Sequence, residues 1–367
     1  MATRVDVSVT RGGAARRVVD HTLLRHLAIA VAAGVVLWLI TLSLGSFDNI
    51  QLATMGYYFV AVAGLTVLTG LNGQISLGHG ALMAIGAYTT VKLQSGPGWP
   101  LALILVVAVI VTALAGIVAG AAAARLRGPY LAGATLALAV GLPSLADKFP
   151  KFLGASNGIT VPPPTVPSSL GATFPLERWQ AWITILGGLA TYVLLANLVR
   201  SRVGRSLRAV RDDEIAAELC GLHVPRTQVL AFVISAACAG LAGGLFVVVN
   251  NLAAPGSFPL SLSVAVLTGV ILGGLGSLMG AVWGAALIVL IPTWSDDLSK
   301  AMNLSQNVQA NLSIAIYGLV LIGVMLAAPR GLQGLIERIV GLGRGLRANQ
   351  QRSRGPQRPG KEEKSEP

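Results

Sequence analysis

Apolar residues run through this chain in long blocks separated by short polar joints. The blocks are Leu27–Leu44, Leu52–Leu71, Ser76–Leu93, Leu101–Ala124, Tyr130–Ala146, Trp182–Val199, Val229–Val249, Leu262–Ile291 and Leu312–Ala328. Most are close to the roughly 20 residues a helix needs to cross a bilayer. They are apolar all round, as a lipid-facing or deeply buried helix must be. The pattern therefore predicts an all-α, polytopic transmembrane helical bundle. The block Leu262–Ile291 is too long for one upright span and carries GGLGSLMG in its middle. It reads either as one tilted span or as a hairpin of two short ones.

Charge decides between these. Cytoplasmic joints of membrane proteins are enriched in Lys and Arg. With the N-terminus inside and the hairpin in place, 22 of the 27 Lys and Arg fall on the inner side. A single span would send the basic C-tail outside. The expectation is about ten membrane segments with both termini cytoplasmic. Residues 1–26 form a basic cytoplasmic arm, 27–330 the transmembrane domain, and 331–367 a basic cytoplasmic tail that reads as disordered. Within the domain, 147–179 is an external loop rich in Gly and Pro, and 200–228 is a cytoplasmic loop. The first block is longer than a signal-peptide core and no A-x-A site follows it, so it reads as an uncleaved span.

Composition agrees with a bilayer. Hydrophobic residues make up 54% of the chain and charged residues 11%, against about 45–50% and 25% in soluble domains. The net charge of +12 lies in joints and tails, not on a folded basic module, so nucleic acid is excluded as a partner. Cys220 and Cys238 make no disulfide framework, and no His/Cys cluster suggests a metal. The four histidines are scattered, and no paired carboxylates or Ser–His set in the spans suggests an enzyme. A GxxxxGK match at Gly355–Lys361 lacks the Ser/Thr that would hold Mg²⁺ and the strand that should precede it. This chain has no ATP site of its own.

Three patterns carry chemistry. The first is GLNGQISLGHGALMAIGAY, Gly70–Tyr88. Glycine-dense, partly polar stretches between spans suit a broken helix lining a cavity. Asn72, Gln74, Ser76 and His79 are the candidate translocation-pathway residues. A tight turn followed by close helix packing explains the same residues without a pathway. The second is a set of four-spaced glycines, Gly116/Gly120, Gly240/Gly244 and Gly276, Gly280, Gly284, preceded by Gly269 and Gly273. Small residues at that spacing let helices approach closely in lipid. The third is the island Arg200–Arg226, with six arginines and four acids. Ser206–Leu222 can be written as one helix with a loose stripe of Leu207, Val210, Ile215, Leu219 and Leu222. Gly221 then supplies a left-handed turn at its end.

The segment Ile215–Gly221, IAAELCG, resembles the EAA-x-x-x-G loop of ABC importer permeases, with Ile215 in the place of the usual Glu and Glu214 one position earlier. GLNGQISLGHGALMAIGAY, RGPYLAGATLAL, GASNGI, the island with AFVISAACAGLAGGLF, and GVILGGLGSLMGAVWGAAL stand in family order along the chain. Together, over roughly residues 50–330, they look like the M-type permease subunit of the branched-chain amino acid ABC transporter family. The resemblance implies a bacterial plasma-membrane permease that is not itself an enzyme. Its implied partners are a homologous second permease, two ATPase subunits that bind ATP and Mg, and an external substrate-binding protein. It implies an ATPase-coupling loop made by Arg205, Arg208, Arg211, Asp212, Asp213, Glu214, Ala216, Ala217, Glu218 and Gly221. Ala139-Val140-Gly141 stands where family members often carry an acid, which keeps urea and short amides open as cargo. A secondary transporter or channel working alone is the alternative of another class.

Overall fold

The computed structural model describes residues 12–301 except 97, 126–128 and 172, scattered positions from 312 to 326, and a helix at 331–338. The predicted block Leu312–Ala328 and most of the C-tail lie outside the described residues. What is described is almost all helix: α1 Gly12–Ser43, α2 Ser46–Leu65, α3 His79–Gln94, α4 Leu101–Ala123, α5 Pro129–Lys148, α6 Pro150–Leu153, α7 Leu176–Arg200, α8 Arg202–Asp212, α9 Glu214–Leu219, α10 Val224–Asn250, α11 Leu260–Gly273 and α12 Leu278–Ala301. Among the described residues, seven helices are long and apolar enough to cross a membrane. This is a helical, multi-pass membrane protein.

Several helices start earlier than their apolar blocks. α7 begins at Leu176 behind Pro175, and α10 at Val224 with Pro225 in its first turn. Proline is preorganised for a first turn, so the helix outruns the stretch that is apolar enough to meet lipid. The long block Leu262–Ile291 is two helices. Gly274 and Gly276 both have positive φ in the turn between α11 and α12, a conformation glycine adopts without steric cost.

The helices order into a bundle with two distinct ends. The joint Asn72–Gly78, the island and the Gly274–Ser277 turn come together at one end: Gly70 lies against Gly276, and Arg211 reaches the Gly70 carbonyl. At the other end, two short strands, β1 Ile159–Thr160 and β2 Leu252–Ala253, pair antiparallel with Ile159 opposite Ala253. Gln94 there donates to the Pro162 carbonyl at 3.0 Å, and Asn49 closes the α1–α2 corner onto the Leu44 and Gly45 carbonyls. Three of the segments that the charge count assigns to the inner side, the joint after Gly70, the island and the Gly276 turn, thus share one end of the bundle.

α10 is the central post, packed on α4, α3 and α2. Lipid tails are as apolar as leucine, so association must come from close contact. The glycines supply it. A Cβ on Gly116 would meet Ala236, and one on Gly120 would lie 2.9 Å from the Phe232 Cβ. Gly240 faces Thr112, and Gly244 faces Leu105 and Thr90. Gly284 abuts the Gly269 backbone, and Gly280 abuts Gly273, so α11 and α12 touch backbone to backbone. Gly276 is a correction: it sits in the turn and not on a ridge. Gly86 and Gly243 join the set, the first against Gly240 and the second against the Met83 carbonyl.

Candidate functional site

Two structures at the island end carry the candidate residues. The first is the break between α2 and α3. The last turn of α2 widens into a π-helix, Thr66–Leu71, and the chain from Gly73 to Gly78 is irregular. Gly73 has φ +76° there. Ser76, expected inside a helix, lies ahead of it. Its Oγ accepts from the Gly78 N–H at 3.4 Å.

The irregular stretch does not end at the bundle's edge. The second residue of α3, Gly80, bonds Ser263 of α11, and Ser263 is ten residues upstream of Gly273, where α11 ends at the turn that meets Gly70. At about 1.5 Å per residue the chain has climbed back about 15 Å before helix resumes. α3, with 16 residues, is about 24 Å long and shorter than the roughly 30 Å hydrocarbon core. It is a shortened helix that starts inside the bundle.

Asn72, Gln74, Ser76 and His79 are all buried, with His79 at 0% exposure. Both side-chain polar atoms of Asn72, Oε1 of Gln74 and both ring nitrogens of His79 lack hydrogen-bond partners. Buried polar groups are normally satisfied, because an unmade bond costs about 1–3 kcal/mol. The N-cap residue of α3 is Gly78, which has no side chain to cap with, and the first turn holds no acid. The backbone of the break is nonetheless anchored: Thr135 Oγ1 accepts from the Leu77 N–H at 3.0 Å, and Ser263 Oγ from the Gly80 N–H at 2.9 Å. Thr69 Oγ1 donates to the Gln74 carbonyl at 3.0 Å. These three residues escape sequence reading because a lone Ser or Thr in an apolar block looks like any other.

The second structure is the elbow. The single helix expected over Ser206–Leu222 is broken. Asp213 is extended (φ −160°, ψ 112°), and its carboxylate accepts from the Ile215 and Ala216 N–H groups at 2.9 and 3.0 Å. Asp at an N-cap competes with a continuing helix by satisfying the amides of the next one. The break resets the helical phase, and the predicted stripe divides. Leu207 and Val210 are buried with Ala217 and Val224, while Ile215 is 74% and Leu219 84% exposed.

The charges also divide. Arg208 donates to the Val199 carbonyl at the end of α7, at 3.0 Å. Arg211 donates from Nη1 to the Gly70 carbonyl at 2.7 Å, and from Nε and Nη2 to Asp212 at 3.0 and 2.7 Å. Glu214 accepts from Gln228 of α10 at 2.9 Å. Arg205 bonds the nearby Arg200 carbonyl at 3.3 Å. The elbow is thus tied to α7, α2 and α10. Ile215, Ala216, Glu218, Leu219 and Gly221 are exposed on its outer side, and Gly221 has the expected left-handed φ of +82°.

Known proteins resemble the chain over most of its length. A family model described as "Branched-chain amino acid transport system / permease component" matches residues 48–328. The chain is 33% identical over 335 residues to the high-affinity branched-chain amino acid transport system permease protein LivM of Salmonella typhimurium, covering 84% of this chain and 74% of that protein. It is 28% identical over 295 residues to LivH of Escherichia coli, of the same description, covering 77% and 92%. It is 29% identical over 255 residues to the fructose import permease protein FruG of Bifidobacterium longum, covering 65% and 72%. No solved structure matches.

Proposed function

The chain belongs to the family of branched-chain amino acid transport system permease components, and from that premise we propose that it is the membrane-spanning subunit of an ABC importer. It works beside a homologous second permease, two ATPase subunits that bind ATP and Mg, and an external binding protein. It is a transporter subunit of the bacterial plasma membrane and performs no chemistry itself. It crosses the membrane in about ten segments, with both ends and the elbow in the cytoplasm.

The observation that carries this is the outer side of α9. Ile215 and Leu219 stand exposed in a loop otherwise rich in charge. Loops of a solvated end hide large apolar side chains unless a partner covers them. The Asp213 cap and the ties to α7, α2 and α10 hold the pair rigidly outward. A rigid apolar helix face presented from a charged mount fits a groove on a soluble subunit. A transporter acting alone would leave this pair facing water.

The cargo is a branched-chain amino acid, and the broken helix forms part of its path. Unpartnered donors at Asn72 and His79 suit the carboxylate of a zwitterion, and the N-terminal end of α3 beside them favours the same charge. Urea, short amides and a sugar are the competing cargos. The test is affinity purification of the tagged chain from mild detergent, then uptake by vesicles holding the recovered complex and its binding protein. Co-purification of an ATPase and a second permease, with ATP-dependent leucine uptake, is expected. Recovery of a lone chain competent for uptake without ATP overturns the proposal, and uptake of urea or fructose in preference to leucine overturns the cargo.

A further inference from the structure

Arg211 stands where the elbow meets the broken helix. The π-helical end of α2 leaves carbonyls without helical partners. The Gly70 carbonyl is one of them, and Arg211 Nη1 bonds it at 2.7 Å. Asp212 takes Nε and Nη2, so the guanidinium is oriented from its own helix and presents Nη1 across the gap. The arginine stem crosses the face of Gly73: a Cβ built there would lie 2.9 Å from the Arg211 Cγ. Behind Gly70 there is no slack. A Cβ on Gly70 would run into the Gly276 backbone in the α11–α12 turn.

We infer that Arg211 is the strut that carries motion of the elbow into the pathway segment Asn72–Gly78. The inference rests on the reading that the elbow receives the ATPase. α8 is anchored at its start, where Ser201 caps it and Arg208 holds the Val199 carbonyl. Its 11 residues make a lever of about 16 Å, with Arg211 near the moving end. A tilt of α8 about its anchored start pulls or releases Gly70. Gly70 is wedged against Gly276, so the displacement is taken up by the segment that follows. The near end of that segment is held to α2 alone: the Gly73 and Gln74 amides bond the Thr69 and Leu68 carbonyls, each at 3.2 Å, and Thr69 Oγ1 bonds the Gln74 carbonyl at 3.0 Å, while the far end is pinned at Leu77 by Thr135. At its start lies Asn72, buried with neither side-chain atom partnered. A group with no bond to break in this arrangement is free to find partners in the other. Arg211 is a positioning residue; it does not touch the cargo.

The experiment compares wild type, Arg211→Met and Arg211→Lys in the full complex with its binding protein. Leucine imported is measured against ATP hydrolysed. Arg211→Met keeps the stem and removes the guanidinium. The complex is expected to assemble and hydrolyse ATP while leucine moved per ATP falls about tenfold. Lys keeps a donor for Gly70 but not the grip of Asp212, so it should recover part of the loss. Hydrogen exchange on the purified chain gives a second readout independent of the ATPase. In Arg211→Met, the Gly73 and Gln74 amides should exchange about tenfold faster, with α10 unchanged. Wild-type transport per ATP in Arg211→Met, or unchanged exchange at Gly73 and Gln74, overturns the strut. Absence of an ATPase from the wild-type complex overturns the proposed function instead.

Discussion

Single residues here do one of two jobs, and the same composition hides which. Glycines at contact points remove atoms so that backbones can touch. Gly243 is the tightest, its missing Cβ replaced by the Met83 carbonyl. Gly243→Ala should destabilise the bundle by about 1–3 kcal/mol, as overpacking does, read as a lower midpoint in thermal unfolding in detergent. Gly141→Ala is the control, since nothing lies within 4 Å of its Cβ position; its midpoint should hold or rise. His79 does the other job. It is fully buried with both ring nitrogens unpartnered, so its polarity costs stability. His79→Leu should leave the midpoint unchanged or higher, because a buried unpaired group costs about 1–3 kcal/mol, while leucine uptake by the assembled complex drops. Wild-type uptake in that variant would show that His79 is a packing residue.

At the scale of elements, the apolar blocks and the helices are different things. Block edges report where lipid begins, whereas helix edges report prolines at helix starts: Pro175 at the N-cap of α7 and Pro225 in the first turn of α10. The elbow teaches the converse. Its residues read as one helix by propensity, yet two backbone amides captured by Asp213 outweigh the continuing helix. That capture turns Ile215 and Leu219 outward. Gly221 closes α9 with φ +82° and open space around its Cβ position. A bulky residue there is therefore a strain problem and not a clash. Gly221→Val should tilt α9 and lower leucine transported per ATP in vesicles, with the complex still assembled. Unchanged coupling would show that the α9 angle is immaterial to docking.

For the whole molecule, the two cysteines report sidedness and docking without engineering. Cys220 is exposed beside Leu219, and Cys238 is buried within α10. A membrane-impermeant maleimide should label Cys220 of the chain expressed alone in inverted vesicles and spare it in intact spheroplasts. Adding the ATPase should then protect it. Labelling of intact cells would invert the topology, and labelling indifferent to the ATPase would remove α9 from the contact. The sequence by itself determined the helical membrane class, the seven long spans seen among the described residues and the break in the block Leu262–Ile291, because hydropathy and the GGLGSLMG glycines are local signals that no packing can reverse in a bilayer. It also singled out the two candidate stretches, Gly70–Tyr88 and Arg200–Arg226. Only the tertiary structure decided what the residues within them do. Whether an arginine meets a partner protein or the Gly70 carbonyl depends on which helix end lies opposite. So does whether Thr135 and Ser263 hold the broken segment. Those are distances between residues far apart in the chain, set by how closely the glycine faces of α10, α4, α11 and α12 let the backbones approach.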